Sequence, residues 1–341
     1  MMRLGKLDND ELERLVLKKF KRTRPESLAV PEIGVDCAAL DLGGDIAALS
    51  CDPITSASLA QLGRLSVHVS CNDAAAAGAE PVGLLVTLLA PPSISREDIG
   101  RIADDLAAAA LDAGVDVLGG HTEVTDAVTR AVTNTTVLAR IPRGRMLPGM
   151  QPGDALVMTK WAALEGSAII AEDFPAVFSA LDPAVRETAL SFVRHLSVVP
   201  EGRYAAAHGA TAMHDVTEGG ILGAAWELGH AAGLRVVLDP ARVPILPETK
   251  VICQAAGIDP LRLISSGSML IACPDGEAMV RGLSQEGIPA TVVGHAAPSG
   301  QGLYTPQGEA LAPPGADELY VGLSNMLDSI AMKEIVGRAI Q

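Results

Sequence analysis

Short apolar, strand-like runs alternate with helix-like runs along almost the whole chain, and a cluster of breakers interrupts the alternation once. That pattern restricts the chain to mixed α/β architectures, because each apolar sheet face needs a helix layer to cover it. The regular order begins at residue 33. A strand at 37–41 leads into the turn Gly43-Gly44-Asp45, and a second strand at 46–51 ends on Asp52-Pro53. A long helix over 59–79 is stopped by Gly78 and Pro81, and an apolar strand follows at 82–89. Ser95 opens the next helix with Asp98 three positions on, a capping-box spacing. A short strand at 115–118 enters a glycine turn, Gly119-Gly120, and a Thr- and Val-rich strand covers 131–140. The order is close to a β-α-β-β-α-β sandwich.

The interruption spans 142–152, where Pro142, Pro148 and Pro152 stand among Gly144 and Gly149. It predicts an N-terminal helix and linker over 1–32, a first domain over 33–148 and a second over 149–335. A length of 341 residues suits two domains. In the second half, strands at 155–159, 210–213, 235–238, 269–273 and 290–294 alternate with helices at 164–171, 183–196, 202–207, 219–232, 248–256 and 276–286. The tail over 316–341 reads as a polar helix.

Charge excludes some partners. Lys plus Arg number 26 against 41 Asp plus Glu, a net charge of −15. Bulk charge therefore opposes binding to a nucleic-acid backbone, although metal ions can bridge carboxylates to a nucleotide's phosphates. Cys37, Cys51, Cys71, Cys253 and Cys273 form no CxxC pair, and four of them sit in apolar or Ala-rich stretches. This predicts reduced, mostly buried thiols and a cytoplasmic location. The charged stretch 8–21 stands where a signal peptide would be apolar, and no apolar run reaches membrane-spanning length, so no membrane association is expected.

The phosphate loop GxxxxGK[ST], GxGxxG and HExxH are all absent. Six other polar constellations remain, each with a plainer reading. Asp36 and Asp52 each sit at the edge of an apolar strand, as a site carboxylate would, or as a turn former would. Asn72 and Asp73 interrupt a helix of small residues, which is costly to bury unless they are paired or bind metal; the wet face of the helix is the alternative. Gly119 and Gly120 offer backbone amides to an anion with His121 and Glu123 following at once; a loop histidine is the plainer meaning. Asp215 precedes Thr217-Glu218-Gly219-Gly220 between a strand and a helix, where free amides favour phosphate, or where Thr217 caps the helix. Ser265-Ser266-Gly267-Ser268 is a small polar run or a plain turn. Together the acidic clusters suggest one composite magnesium–phosphate site.

Order, spacing and wording resemble the aminoimidazole ribonucleotide (AIR) synthase superfamily. The matching stretches are GVDCAAL (34–40), CDPIT (51–55), NDAAAAGAEP (72–81), LGGHTEV (118–124), PGDALVMTK (152–160), LEGSAII (164–170), HDVTEGG (214–220) and LISSGSM (263–269). GGHTEV and HDVTEGG are most similar to the HypE-related, hydrogenase-maturation branch. The resemblance implies a first α/β domain that pairs with its copy in a homodimer, closing strands of both chains into a barrel. It implies a second α/β domain packed against the first, with Mg-ATP in the cleft between domains. Asp36, Asp52, Asp73 and Asp215 would be metal- or phosphate-binding carboxylates, with Asn72 beside them. Gly119, Gly120, Gly219 and Gly220 would contact the nucleotide. His121 and Glu123 would line the same cleft and share the catalytic work with Asp52 and Asp73.

The resemblance further implies ATP-dependent phosphorylation of an amide or carboxyl oxygen, with a maturation protein as partner. Two departures bear on this. Val35 stands where relatives often carry a second acid. The sequence ends Gly337-Arg338-Ala339-Ile340-Gln341, without the terminal cysteine that HypE proteins convert to a thiocyanate. A non-catalytic nucleotide-binding scaffold, or an AIR synthase-like enzyme of another pathway, are the competing readings.

Overall fold

The computed structural model describes residues 37–320 apart from positions 42, 56, 314 and 316, together with residues 9, 13, 28 and 33. Asp36, most of the helix and linker expected over 1–32 and the tail beyond 320 lie outside the described residues.

Strands β1 (Ala38–Asp41), β2 (Ile46–Ile54), β3 (Glu80–Ala90), β4 (Asp116–Val124) and β5 (Val132–Ile141) form a five-stranded sheet in the order β1-β2-β5-β3-β4. Helix α1 (Leu62–Ala76) separates β2 from β3, and α2 (Arg96–Ala113) separates β3 from β4. The element order is thus ββαβαββ. The expected cap on α2 forms: Ser95 Oγ accepts the Asp98 amide at 3.0 Å, and Gly114 closes the helix in the left-handed conformation.

Among the described residues, helices cover one face of this sheet. Ala48, Leu84, Val86 and Val137 pack with Val67, Cys71 and Ala74 of α1. Strand alternation then turns Leu49, Leu85 and Leu138 to the other face, where Leu85 and Leu138 are exposed.

The glycine turn expected at Gly119-Gly120 is a correction, because both residues lie inside β4. That strand runs unbroken to Val124, paired in parallel with β3. The register skips Leu118, a bulge that lets β4 continue past the glycines. Gly120 takes a φ of 150°, and a Cβ there would collide with the Val86 carbonyl. A hairpin-like signal in the sequence is therefore a close backbone approach in the fold.

The second sheet has seven strands in the order β12-β11-β8-β10-β6-β9-β7. They are β6 (Ala155–Thr159), β7 (Ala212–Asp215), β8 (Arg235–Leu238), β9 (Met269–Cys273), β10 (Ala290–Ala296), β11 (Gly302–Tyr304) and β12 (Ala310–Leu311). The accompanying helices are α3 (Leu164–Asp173), α4 (Pro183–Ser191), α5 (Val199–Ala207), α6 (Gly220–Ala232), α7 (Pro247–Ala256) and α8 (Gly276–Gln285). One face, with Leu156, Met158 and Leu270, packs on Ile221, Ala225 and Leu228 of α6. The opposite face, with Val157, Met213, Met269 and Ile271, shares a single core with α1 and the first sheet. Helix α1 therefore belongs to both halves and forms part of the layer between the sheets. No helix among the described residues is long and apolar enough to cross a membrane.

Two buried polar anchors hold the layers in place. Asn72 on α1 donates from Nδ2 to the Leu196 carbonyl at 2.8 Å and accepts the Val198 amide on Oδ1 at 2.8 Å. Lys160, at the end of β6, donates from Nζ to the carbonyls of His195 (2.9 Å) and Ser197 (2.6 Å), and pairs with Glu201 at 2.7 Å. Residues 195–198 are thus held from the first half by Asn72 and from the second by Lys160.

Candidate functional site

The residues facing α1 set the chemistry. In β2, Ser50 and Asp52 point inward with Ala48, and Ser50 Oγ donates to the Ser70 carbonyl of α1 at 3.4 Å. The register places Asp52 opposite Thr135 of β5, Thr135 opposite Val86 of β3, and Val86 opposite Gly120 of β4. One row across the helix-facing side of the sheet therefore reads Asp52, Thr135, Val86, Gly120. Ser66, Ser70 and Asp73 fall on one stripe of α1 at spacings of four and three, so Asp73 lies on the same side of the helix as Ser70. Asp52 Oδ2, Thr135 Oγ1 and Ser70 Oγ are buried and have no hydrogen-bond partner among the described residues. Buried oxygens left this way call for a water, an ion or a ligand.

Asp215 arrives from the other half. It ends β7 on the side of Met213, which faces the layer of α1, and is 1% exposed. Its neighbour His214 donates from Nδ1 to the Asp215 carbonyl at 2.7 Å and brings Nε2 within 3.1 Å of Glu227. Asp52, Asp73 and Asp215 thus approach one layer from three elements. They do not form a closed metal cage: among the described residues, no three His, Cys, Asp or Glu side chains could together hold a metal ion. What the residues fit is a metal held by one or two carboxylates with phosphate oxygens completing the shell, the usual arrangement for magnesium.

Other expected site residues are placed differently. His121 and Glu123 stand in rows with Thr87 and Leu89, on the side of the sheet away from Asp52, and are 3.3 Å from each other. The bulge at Leu118 and the alternation of β4 cause this separation, so they do not join Asp52 and Asp73 within one subunit. Gly119 and Gly120 border a groove of about 260 Å³ with Val86, Leu88, Ile102 and His121. Both ends of the Asn72 amide bond backbone groups, which makes it a tie between the halves.

At the start of α6, the amide of Gly219 is held by the Asp317 carboxylate at 2.7 Å, and that of Gly220 donates to the Thr217 carbonyl at 3.1 Å. The amides expected to bind phosphate are therefore satisfied from within. Nothing in the local sequence announces Asp317, which comes from 98 residues further on.

The second half also buries an acid the sequence reading passed over. Glu165 of α3 is fully enclosed and accepts the Ser266 amide at 3.2 Å. Burial raises its carboxyl to about 7, with Asp317 and Glu218 adding to the rise; burial likewise raises Asp317 to about 6. A folded value above the unfolded one means the native state binds the extra proton. Stability from Glu165 is then fully present below about 4.5 and is lost as pH rises towards 7. Glu165→Gln is expected to remove about 3 kcal/mol of that pH dependence. Urea unfolding at pH 4.5 and pH 7.5 measures it, and an unchanged difference between the two would contradict the assignment.

All five cysteines are free. Cys37, Cys71, Cys253 and Cys273 are buried as expected, and burial pushes the Cys71 thiol up to about 12. Cys51 is the exposed one, lying on the sheet face away from α1, where it accepts from Asn134 and Thr136.

A two-layered pair of mixed α/β halves with carboxylates turned into the shared layer defines a known class. Residues 34–141 match the N-terminal domain of AIR synthase related proteins, and residues 151–304 match the C-terminal domain. The chain belongs to this family and has its two-domain fold. Among characterised relatives, it is 29% identical over 225 residues to the carbamoyl dehydratase HypE of Cupriavidus necator, a match covering 64% of this chain and 61% of that protein. It is 25% identical over 283 residues to a putative hydrogenase expression/formation protein of Methanocaldococcus jannaschii, covering 80% and 82% of the two chains. Among solved structures, AaThiL complexed with AMPPCP and TMP superposes with a TM-score of 0.74 at 17% identity, over 93% of this chain and 99% of that one. A HypE–HypF complex gives 0.71 at 19%, over 89% and 99%. At those identities the structural likeness speaks for the fold alone.

Proposed function

We propose that this chain is a HypE-like, ATP-dependent enzyme that phosphorylates an amide or carboxyl oxygen of its substrate during maturation of a hydrogenase or another metalloenzyme. The kinship with HypE supports the branch. The observation that carries the chemistry is the set of buried, unpartnered oxygens of Asp52, Thr135 and Ser70 beside α1. Bound Mg-ATP would supply the phosphoryl group and the positive charge that stabilises its transfer. Asp52 and Asp73 would hold the metal, with Asp215 facing it from the second half. The chain's own part is to orient these carboxylates, which it does by fixing α1 between the sheets through Asn72. A low-dielectric surround of Val86, Val137 and Met213 strengthens every charge interaction there.

The open sheet face with Leu85 and Leu138, and the exposed edge β4, suit pairing with a second copy, so a homodimer is part of the reading. A maturation protein that supplies the substrate group is the expected partner, by analogy with the HypE–HypF complex. Free, mostly buried thiols fit a cytoplasmic location. The test is ADP release from the purified protein with and without Mg²⁺, in the presence of carboxamide and carboxylate acceptors. Magnesium-dependent ADP formation is expected, and its absence with every acceptor, together with no Mg-ATP binding by calorimetry, would overturn the reading.

A further inference from the structure

A second cavity lies at the other end of the first sheet. It occupies about 410 Å³ and is bounded by the turn after α1, the start of β3, the end of β5 and α5 of the second half. Three arginines surround it, Arg140 from β5, Arg145 from the segment joining the halves, and Arg203 from α5. Arg140 is already neutralised, donating to Glu80 at 2.8 Å. The side chains of Arg145 and Arg203 make no hydrogen bond or ion pair with any described residue. Two uncommitted guanidinium groups at one cavity stand out in a chain of net charge −15, where carboxylate partners are plentiful. Ala79, Pro81 and Ala206 give the cavity an apolar floor.

The walls are built closely. A Cβ on Gly202 of α5 would meet the Ala75 carbonyl of α1 at 2.5 Å, so the two helices touch backbone to backbone beside the cavity. Asp52 pairs with Thr135 on β5, whereas the cavity borders Arg140, five residues further along the same strand. At about 3.4 Å per residue the two places are separated by roughly 17 Å.

We propose that this cavity binds a small organic anion, its phosphate or carboxylate head gripped by Arg145 and Arg203 and its apolar part on the alanine floor. Guanidinium forks match both kinds of head with paired hydrogen bonds, and the volume suits a ligand of metabolite size. Because Arg145 comes from the joining segment and Arg203 from the second half, with the floor from the first half in Ala79 and Pro81, an occupant bridges the two halves.

The experiment is calorimetry of the full-length protein at low ionic strength without Mg²⁺, using ribose 5-phosphate and citrate as separate probes. Saturable binding of one or both with Kd below ~1 mM is expected, and the probe that binds more tightly tells phosphate from carboxylate. The Arg145→Ser/Arg203→Ser variant changes only exposed side chains and is expected to weaken binding by about tenfold or more. Asp52→Asn is expected to leave it unchanged, which separates this site from the nucleotide site. No saturable binding of either probe, or equal binding by the double variant, overturns the proposal.

Discussion

Asp52→Asn is expected to lower magnesium-dependent ADP formation by about a hundredfold or more, while stability is unchanged or slightly raised. The substitution keeps size and shape and removes one charge. The buried Oδ2 of Asp52 has no hydrogen-bond partner among the described residues, so the fold gains nothing evident from that charge. A carboxylate kept in such a position is poised for a cation that arrives with the nucleotide. Steady-state ADP release and urea unfolding of the same preparation give the two readouts. Retention of full turnover, or a loss of stability that accounts for the lost activity, would remove Asp52 from the site.

Lys160→Met is expected to cost about 3–5 kcal/mol of stability. Lys160 is 8% exposed and Glu201 2%. Removing the ammonium leaves the Glu201 carboxylate buried without its partner at 2.7 Å, and strips the carbonyls of His195 and Ser197 of their donor. Lys160 also sits at a φ of 51°, in the left-handed region that non-glycine residues visit at a cost, with its backbone amide donating to the Pro289 carbonyl at 2.7 Å. The double variant Lys160→Met/Glu201→Gln is expected to recover part of the loss, since no unpaired buried charge remains. Denaturant midpoints for the two singles and the double close the cycle. A single-variant loss below about 1 kcal/mol would show that the pair contributes little.

The sequence made much of the fold legible, and the particular misses have physical causes. The cap at Ser95, the first part of β2 and the placement of β8 and β9 follow from local patterns, whereas β2 runs on through Asp52 and Pro53 because β5 pairs with it there. Gly119-Gly120 was misread because two glycines after a short apolar run look like a turn. What carries β4 onward is parallel pairing with β3, a partner no local signal names. The bulge at Leu118 then decides which face His121 and Glu123 take. The strands β11 and β12 span three and two residues and carry no periodicity to find. Asn72 was rightly marked as costly to bury, yet its partners lie 124 and 126 residues away. For the same reason the capture of the Gly219 amide by Asp317 was invisible. Composition, strand ends and capping are local, whereas who satisfies whom in the core is a property of the assembled layers.

The most direct test of the account is a crystal structure with AMPPCP and Mn²⁺ in place of magnesium. The anomalous signal of the metal is expected about 2.1 Å from an Asp52 carboxylate oxygen, with the nucleotide's phosphates completing its shell beside Asp73. Metal and nucleotide bound elsewhere, with the Asp52 carboxylate still unengaged, would contradict it.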